Sequence, residues 1–482
     1  MKFIRLFFIF CFCFTAARAG DLPQLQEEAK KHLINLISYD TAQPNPQEIN
    51  AARYIYTVLN KNKIDWQIFR PLKNRANLAV TLKAPIPQKD KKPALLLISH
   101  LDTASIQGDW TVTPVKATLK DGKIYGLGSR DAKNYAAINL TLLTYFAKNK
   151  NLLNRDLIFL FTADEEAGSE MGLKYLYEKA PEVFKDVAFA INEGGGVISN
   201  QNNNFLFVEA AGKMYLDILI TARAGGGNSA QGGQDNAIYK LSQALAKLQA
   251  YDLPYTLTPF SRKFFKDIAQ TQDQDAQTTL QMLLNPPDEK YFNQAAAIIS
   301  EEPLFQAQIQ DAITPTILIS SEEANTVLPE ASALLNCRLL PSTNPQDFFD
   351  NLTALFEKDE DIFLTIKEQP QLPFPQPKGD FNDELYAALS ESAKTVLGQN
   401  TKILLGISPA SSESEILRRH NIATYGIGPR LPTPIKEKEE QKGGPHQADE
   451  FIDEQSFKEQ FNLTFHTINT LLKQDINVDK NI

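Results

Sequence analysis

The sequence predicts an α/β fold, a mostly parallel sheet flanked by helices, and three observations carry that prediction. Short apolar runs alternate with amphipathic stretches through the first 200 residues, the pattern of a sheet with helices on its faces. The run at 93–99 (P-A-L-L-L-I-S) is continuously apolar, as suits a central parallel strand. Four successive strand ends then carry His, Asp or Glu, and in open α/β sheets ligands gather outside the carboxyl ends of the strands.

The elements follow in order. Residues 22–36 and 50–60 place apolar side chains at helical spacing among charges and read as amphipathic helices. Residues 77–82 read as a strand. The strand at 93–99 is followed at once by His100, Leu101, Asp102 and Thr103. Residues 120–132 (K-D-G-K-I-Y-G-L-G-S-R-D-A) give a turn, a short strand and a glycine-rich loop ending at Asp131. Their spacing is not G-x-x-x-x-G-K-[ST] and the Rossmann context is missing, which argues against nucleotide binding. A helix is expected at 134–147, a strand at 155–161, the acidic turn T-A-D-E-E-A-G-S at 162–169 and a helix at 172–179. A further strand at 187–191 ends in Asn192, Glu193 and three glycines.

Three consecutive carboxylates at the end of a buried strand are costly unless they are paired or bind a metal. Neighbouring side chains diverge, so one of Glu165 and Glu166 can bind a metal while the other stays free as a base. A His and an Asp two apart, as in His100 and Asp102, suit a ligand and the carboxylate that fixes its tautomer. His32, His420 and His466 lie on expected helices or their ends and read as ordinary packed or surface residues. The Lys- and Glu-rich stretch 436–442 reads as a solvated loop.

Composition bounds the class. A chain of 482 residues, 43% hydrophobic and 22% charged, is globular and long enough for two domains. Lys2 and Arg5 precede an apolar run and then Ala17-Arg18-Ala19, the layout of an export signal cleaved after Ala19. Cys11 and Cys13 leave with that signal and Cys337 remains alone, so no internal disulfide is expected. Losing Lys2, Arg5 and Arg18 takes the formal net charge from −9 to −12, which disfavours nucleic-acid binding. No later stretch is apolar for long enough to span a bilayer, and the expected location is the periplasm or the exterior.

With these motifs in place, the chain resembles the zinc-dependent M20 metallopeptidase family. The matching segments are S-H-L-D-T, the run from Trp110 and Pro114 to G-L-G-S-R-D-A-K, T-A-D-E-E-A-G-S, I-N-E-G-G-G and G-P-H-Q-A-D-E-F-I. They span about residues 95–455 in the family's order. The E-G-G-G form and the long segment before Thr314 are most like the carboxypeptidase S-type branch and its N-acyl amino acid hydrolase relatives.

The resemblance implies two zinc ions, with cobalt or manganese as alternatives. His100 would bind one, with Asp102 orienting its imidazole, and Asp131 would bridge both. Glu193 would complete the first set, Glu166 and His446 would serve the second, and Glu165 would be the general base. It also implies an inserted smaller α/β lid at 213–372, which in the family often mediates homodimers. The lid would divide a catalytic domain into 20–212 and 373–482, and residues 250–312 would be a helical insertion within it. Its strand at 214–221 alternates like a half-buried strand and a helix is expected at 236–248. Asn325 and Arg338 resemble residues that contact the substrate's carboxylate, a match for the guanidinium fork.

Three positions depart from the family pattern. Asn228 stands where many relatives have a lid histidine that serves the oxyanion; it can still donate a neutral hydrogen bond. Glu415 falls in S-S-E-S-E, where relatives read roughly G-T-D-A-R, close to an expected cation. Asn134 replaces a common glycine. The expected function is hydrolysis of an amide or peptide bond beside a free carboxylate, in a small peptide or N-acyl amino acid. The alternatives are an aminopeptidase or dipeptidase of the same family, or a metal-containing binding protein without turnover.

Overall fold

The computed structural model describes residues 22–200, 203–233, 235–269, 272–321, 323–368, 384–431 and 443–472. The expected export signal, the boundary at residue 372 and the charged stretch 436–442 lie outside them.

The strand Lys92–His100 shows why the main sheet forms. Leu95 and Leu97 point into a core closed by the helices Leu22–Ile37, Glu48–Lys61, Lys133–Lys148, Glu384–Leu397 and Glu454–Leu472. Leu96 and Ile98 point the other way, under the helices Leu173–Lys179 and Glu413–Arg419. An element buried on both faces has no polar side to show, hence its continuous apolar run.

Across the sheet the strands run Gln67–Phe69, Asn77–Leu82, Arg155–Thr162, Lys92–His100, Val187–Asn192, Ala423–Gly426, Asn203–Gly212 and Lys402–Ser408, with Gly196–Asn200 paired to Asn203–Gly212. Lys92–His100 lies between Arg155–Thr162 and Val187–Asn192, parallel to both. The carboxyl ends of three neighbouring strands therefore open on one edge. They deliver His100, the Glu165–Glu166 turn and Glu193 to the same place.

A second, antiparallel sheet orders as Ala312–Ile319, Glu330–Leu339, Met214–Arg223 and Ile362–Glu368. Leu216, Ile218 and Ile220 are fully buried on one face, in a separate core with the helices Ala237–Gln249 and Pro345–Ala354.

The described residues of 250–312 contain four helices, Pro259–Ala269, Gln274–Leu284, Glu289–Ile299 and Pro303–Ile309. They lie between strands of the second sheet in sequence, but their apolar faces pack on the main sheet, against Phe205, Phe207 and Leu404. Phe264, Phe265 and Phe305 meet edge to face there. Gln308 also closes the sheet edge. Its side-chain amide donates to the Ile407 carbonyl at 2.9 Å and accepts from the Ile407 N–H at 2.8 Å, as a neighbouring strand would.

Candidate metal centre

His100 closes its strand with its ring buried. Its Nε2 lies 2.9 Å from Glu193 Oε2 and 3.2 Å from Asp131 Oδ1. A second group forms around His446, whose Nε2 is 3.1 Å from Glu166 Oε2 and 3.4 Å from Asp131 Oδ2. The two groups share Asp131, and within each the ligating atoms lie within 4.8 Å of one another. All five residues expected as ligands thus converge from positions spread between 100 and 446.

Each arm is held by backbone packing. Glu193 follows the strand Val187–Asn192, and the turn after it needs glycine. Gly194 has φ +107, and a Cβ there would come within 2.2 Å of Glu209 Oε2. The Glu165–Glu166 turn is braced from two sides. Asp102 is fully buried, and its carboxylate accepts the Glu165 and Glu166 N–H groups, both at 3.1 Å, and Gln43 Nε2 at 3.0 Å. Asp164 adopts the left-handed conformation (φ +69); its carboxylate accepts from Met171 N–H at 2.8 Å and pairs with Arg75 at 2.7 Å. Arg75 also meets Glu48 at 2.8 Å.

The expected partnership of Asp102 with His100 takes a different form. The His100 Nδ1 lies 3.0 Å from the Asp102 main-chain carbonyl and 3.5 Å from its carboxylate. The peptide carbonyl therefore accepts from the ring, while the side chain fixes the acidic turn.

Electrostatics fit a cation site. Burial works against a charge on His100, but Glu193, Asp102 and Asp131 hold its pKa well above the usual value. His446 is raised to about 10 by hydrogen bonds to Asp131 and Glu166. Burial and the charges of Glu193, Glu166 and Asp131 push Glu165 well above the ordinary carboxylate range. Glu165 belongs to neither ligand group. The Glu166 Oε1 is buried without a hydrogen-bond partner. Four carboxylates around two imidazoles, with one oxygen unsatisfied, match what divalent cations neutralise. The mixed N/O donor set suits zinc, cobalt or manganese.

The substrate residues divide. Arg338 stands on the second sheet, with its Nε donating to Asn336 Oδ1 at 3.0 Å, its Nη1 to Ser411 Oγ at 3.3 Å, and its guanidinium 4.8 Å over the Tyr215 ring. Burial lowers its pKa, and Tyr215, Asp217 and Glu165 oppose this. Asn228 and Asn325 sit together elsewhere. Both are exposed at a two-stranded ladder, where Ser229 N–H donates to the Asn325 carbonyl at 3.1 Å. Among the described residues no hydrogen bond joins either to the carboxylate cluster.

Glu415 does not intrude on the cleft. It is buried, caps its own helix through the Ser412 N–H and pairs with Arg418 at 2.6 Å. Asn134 has a partner in Gln460 at 2.9 Å. Outside the cluster, His32 bonds the Tyr54 hydroxyl, His420 stacks on Tyr177 and His466 contacts Phe465.

Sequence reasoning missed the acids behind the site. Glu413 accepts from Thr162 Oγ1 at 2.7 Å and Ser169 Oγ at 3.1 Å. Glu209 is buried against the Gly194 turn, and burial pushes it to about 8. Glu450 is 1% exposed and burial pushes it to about 7, against three backbone N–H donors. Its sequence signal was its place within the segment G-P-H-Q-A-D-E-F-I, four residues after His446.

The sequence model of Peptidase family M20/M25/M40 matches residues 96–470. The N-fatty-acyl-amino acid synthase/hydrolase PM20D1 of Mus musculus is 22% identical over 380 residues, 77% of this chain and 73% of that protein. A probable succinyl-diaminopimelate desuccinylase of Staphylococcus aureus is 24% identical over 437 residues, 90% of this chain and 94% of that protein. The crystal structure of the M20 family metallo-carboxypeptidase Sso-CP2 from Sulfolobus solfataricus aligns with TM-score 0.66 and 18% identity, covering 92% of this chain and 99% of that one.

Proposed function

The chain belongs to peptidase family M20/M25/M40, and from that premise we propose that it hydrolyses an amide or peptide bond beside a free carboxylate. The substrate is a small peptide or an N-acyl amino acid, and the cofactor is a pair of zinc ions. The observation that carries the proposal is the position of Glu165. It lies within electrostatic reach of Glu193, His100, Glu166 and Asp131, yet is part of neither ligand group.

In this reading His100, Asp131 and Glu193 would hold one ion, and Asp131, Glu166 and His446 would hold the other. When bound, the ions supply Lewis acidity toward a water and toward the scissile carbonyl. Glu165 takes the proton of the attacking water and returns it to the leaving nitrogen. In the metal-free protein burial, and then the neighbouring carboxylates, raise its proton affinity. Asp102 keeps Glu165 in place through the two backbone N–H groups it accepts. Arg338 binds the substrate's carboxylate through its guanidinium fork. Asn228 and Asn325, at the separate two-stranded ladder of Gly227–Asn228 with Thr326–Val327, would supply further polar contacts to the substrate.

The test is a zinc- or cobalt-loaded assay on N-acyl amino acids, blocked dipeptides and free dipeptides. Glu165→Ala should lower kcat roughly 10²–10⁴-fold with metal content unchanged. No metal-dependent turnover on the panel refutes the enzyme reading, and full turnover by Glu165→Ala refutes the base. A preference for substrates with a free amino group would favour an aminopeptidase or dipeptidase.

Two further parts of the reading rest on other features. Export rests on the residues before Gly20 and is checked by the N-terminus of the mature protein. A homodimer through residues 213–372 is supported by Ala312–Ile319, an edge strand with Ile317, Leu318 and Ile319 exposed, an arrangement that invites pairing. A measurement of mass in solution decides it.

A further inference from the structure

The two ligand groups are built differently. His100 and Glu193 follow strands clamped in the middle of the parallel sheet. Asp131 and His446 both stand on loops, and the His446 side chain is 58% exposed. What brings those loops together is a strap, residues 443–453.

The strap is fixed at three points. Its end, Phe451–Asp453, pairs with Lys123–Tyr125. Asp449 accepts from Thr111 N–H at 2.7 Å and Thr111 Oγ1 at 2.8 Å. Glu450 reaches into the loop that carries Asp131. One carboxylate oxygen accepts from Arg130 N–H at 2.8 Å and Asp131 N–H at 3.1 Å, and the other accepts from Gly128 N–H at 3.0 Å. The main-chain carbonyl of Glu450 also accepts from Gly126 N–H at 2.9 Å.

A carboxylate is the side chain with only acceptors on both oxygens, and here both are occupied by N–H groups of a single loop. We propose that Glu450 is the positioning residue for the second metal position, fixing the Asp131 loop and the His446 strap to each other so that Asp131, Glu166 and His446 share one ion. The proposal rests on the reading of the cluster as a two-ion site. It gives Glu450 no contact with substrate. Its effect falls on the second position because the first keeps two ligands anchored by strands. Glu450→Gln preserves size but turns one acceptor into an amide that faces N–H donors.

The full chain, stripped with chelator, is titrated with zinc by calorimetry, and bound metal is counted by atomic emission. The unsubstituted protein should take two equivalents; a failure to do so overturns the two-ion reading and this inference with it. Glu450→Gln should bind the first equivalent within about threefold of the parent and the second roughly 10–100-fold more weakly, the usual effect of losing a group that orients a ligand. His446→Ala marks the loss of the second position itself. If both equivalents bind Glu450→Gln as in the parent, or both weaken equally, Glu450 does not act as described. Should Glu450→Gln fail to fold, Glu450→Asp withdraws the carboxylate by one methylene, and the same selective weakening is expected. Unchanged binding of both equivalents to Glu450→Asp then overturns the proposal.

Discussion

Replacing Arg75 by alanine tests how the acidic turn is held. Arg75 is 6% exposed and its Nη2 meets Glu48 at 2.8 Å and Asp164 at 2.7 Å. Glu48 is fully buried and Asp164 is 3% exposed. At these distances each pair is worth about 6 kcal/mol in gross Coulomb energy at an effective dielectric of about 20. Most of that is offset by desolvation, and removing one partner of a buried pair typically costs about 3–5 kcal/mol. The penalty must depend on pH. Burial and Asp102 raise Glu48 from 4.5 to about 7 even with Arg75 opposing them. A folded-state pKa above the unfolded one gives stability that is complete below about 4.5 and lost as pH rises through about 7. Without Arg75 the folded pKa rises further. Arg75→Ala should therefore cost about 3–5 kcal/mol at pH 8.5 and distinctly less at pH 5.5, where Glu48 is protonated in both proteins. Urea unfolding of metal-free protein, followed by circular dichroism at the two pH values, measures this. A penalty that is equal at both, or larger at pH 5.5, refutes the reasoning.

Two other outcomes are expected. Arg338→Ala should lower kcat/KM on substrates with a free carboxylate roughly 10–100-fold, the worth of a charge-assisted hydrogen bond, and leave the matching carboxamides nearly unchanged. Equal losses on both would remove Arg338 from carboxylate recognition. Chelation should abolish turnover and lower the unfolding temperature, with both restored by zinc. At free zinc about 1,000-fold above its dissociation constant the bound form gains about 4 kcal/mol. Because the metal-free protein holds the expected ligands Glu193, His100 and His446 at raised pKa, protons compete with the ion, and the zinc-dependent gain should shrink as pH falls. A gain that grows on acidification would contradict the ligand assignment.

The acids behind the centre share one physical theme. Asp102 and Glu450 each accept backbone N–H groups of loops that carry functional residues, Asp164 accepts Met171 N–H within the acidic loop, and Glu413 accepts the N–H of Leu173 at the head of the helix that follows it. A buried carboxylate, accepting two or three donors at once, fixes a loop more firmly than any single neutral contact.

Much of this was written in the sequence. Continuous apolar runs must be buried strands, a buried strand that ends in acids must neutralise them, and the order of His100, Asp131, Glu165, Glu166, Glu193 and His446 named the family. What no local pattern carried was partnership across long stretches of chain. Arg75 lies 89 residues from Asp164, and Glu450 lies 322 from Gly128. Neither type of residue signals whether it will be buried. For the same reason Glu415 looked like an intruder in the cleft until folding placed it beside Arg418. Residues 250–312 lie within the second sheet's stretch of sequence, yet Phe205, Phe207 and Leu404 drew their apolar faces to the main sheet. Period and polarity along the chain determine the elements and the metal-binding ends. Which buried charge meets which loop is decided only when distant segments exclude water together.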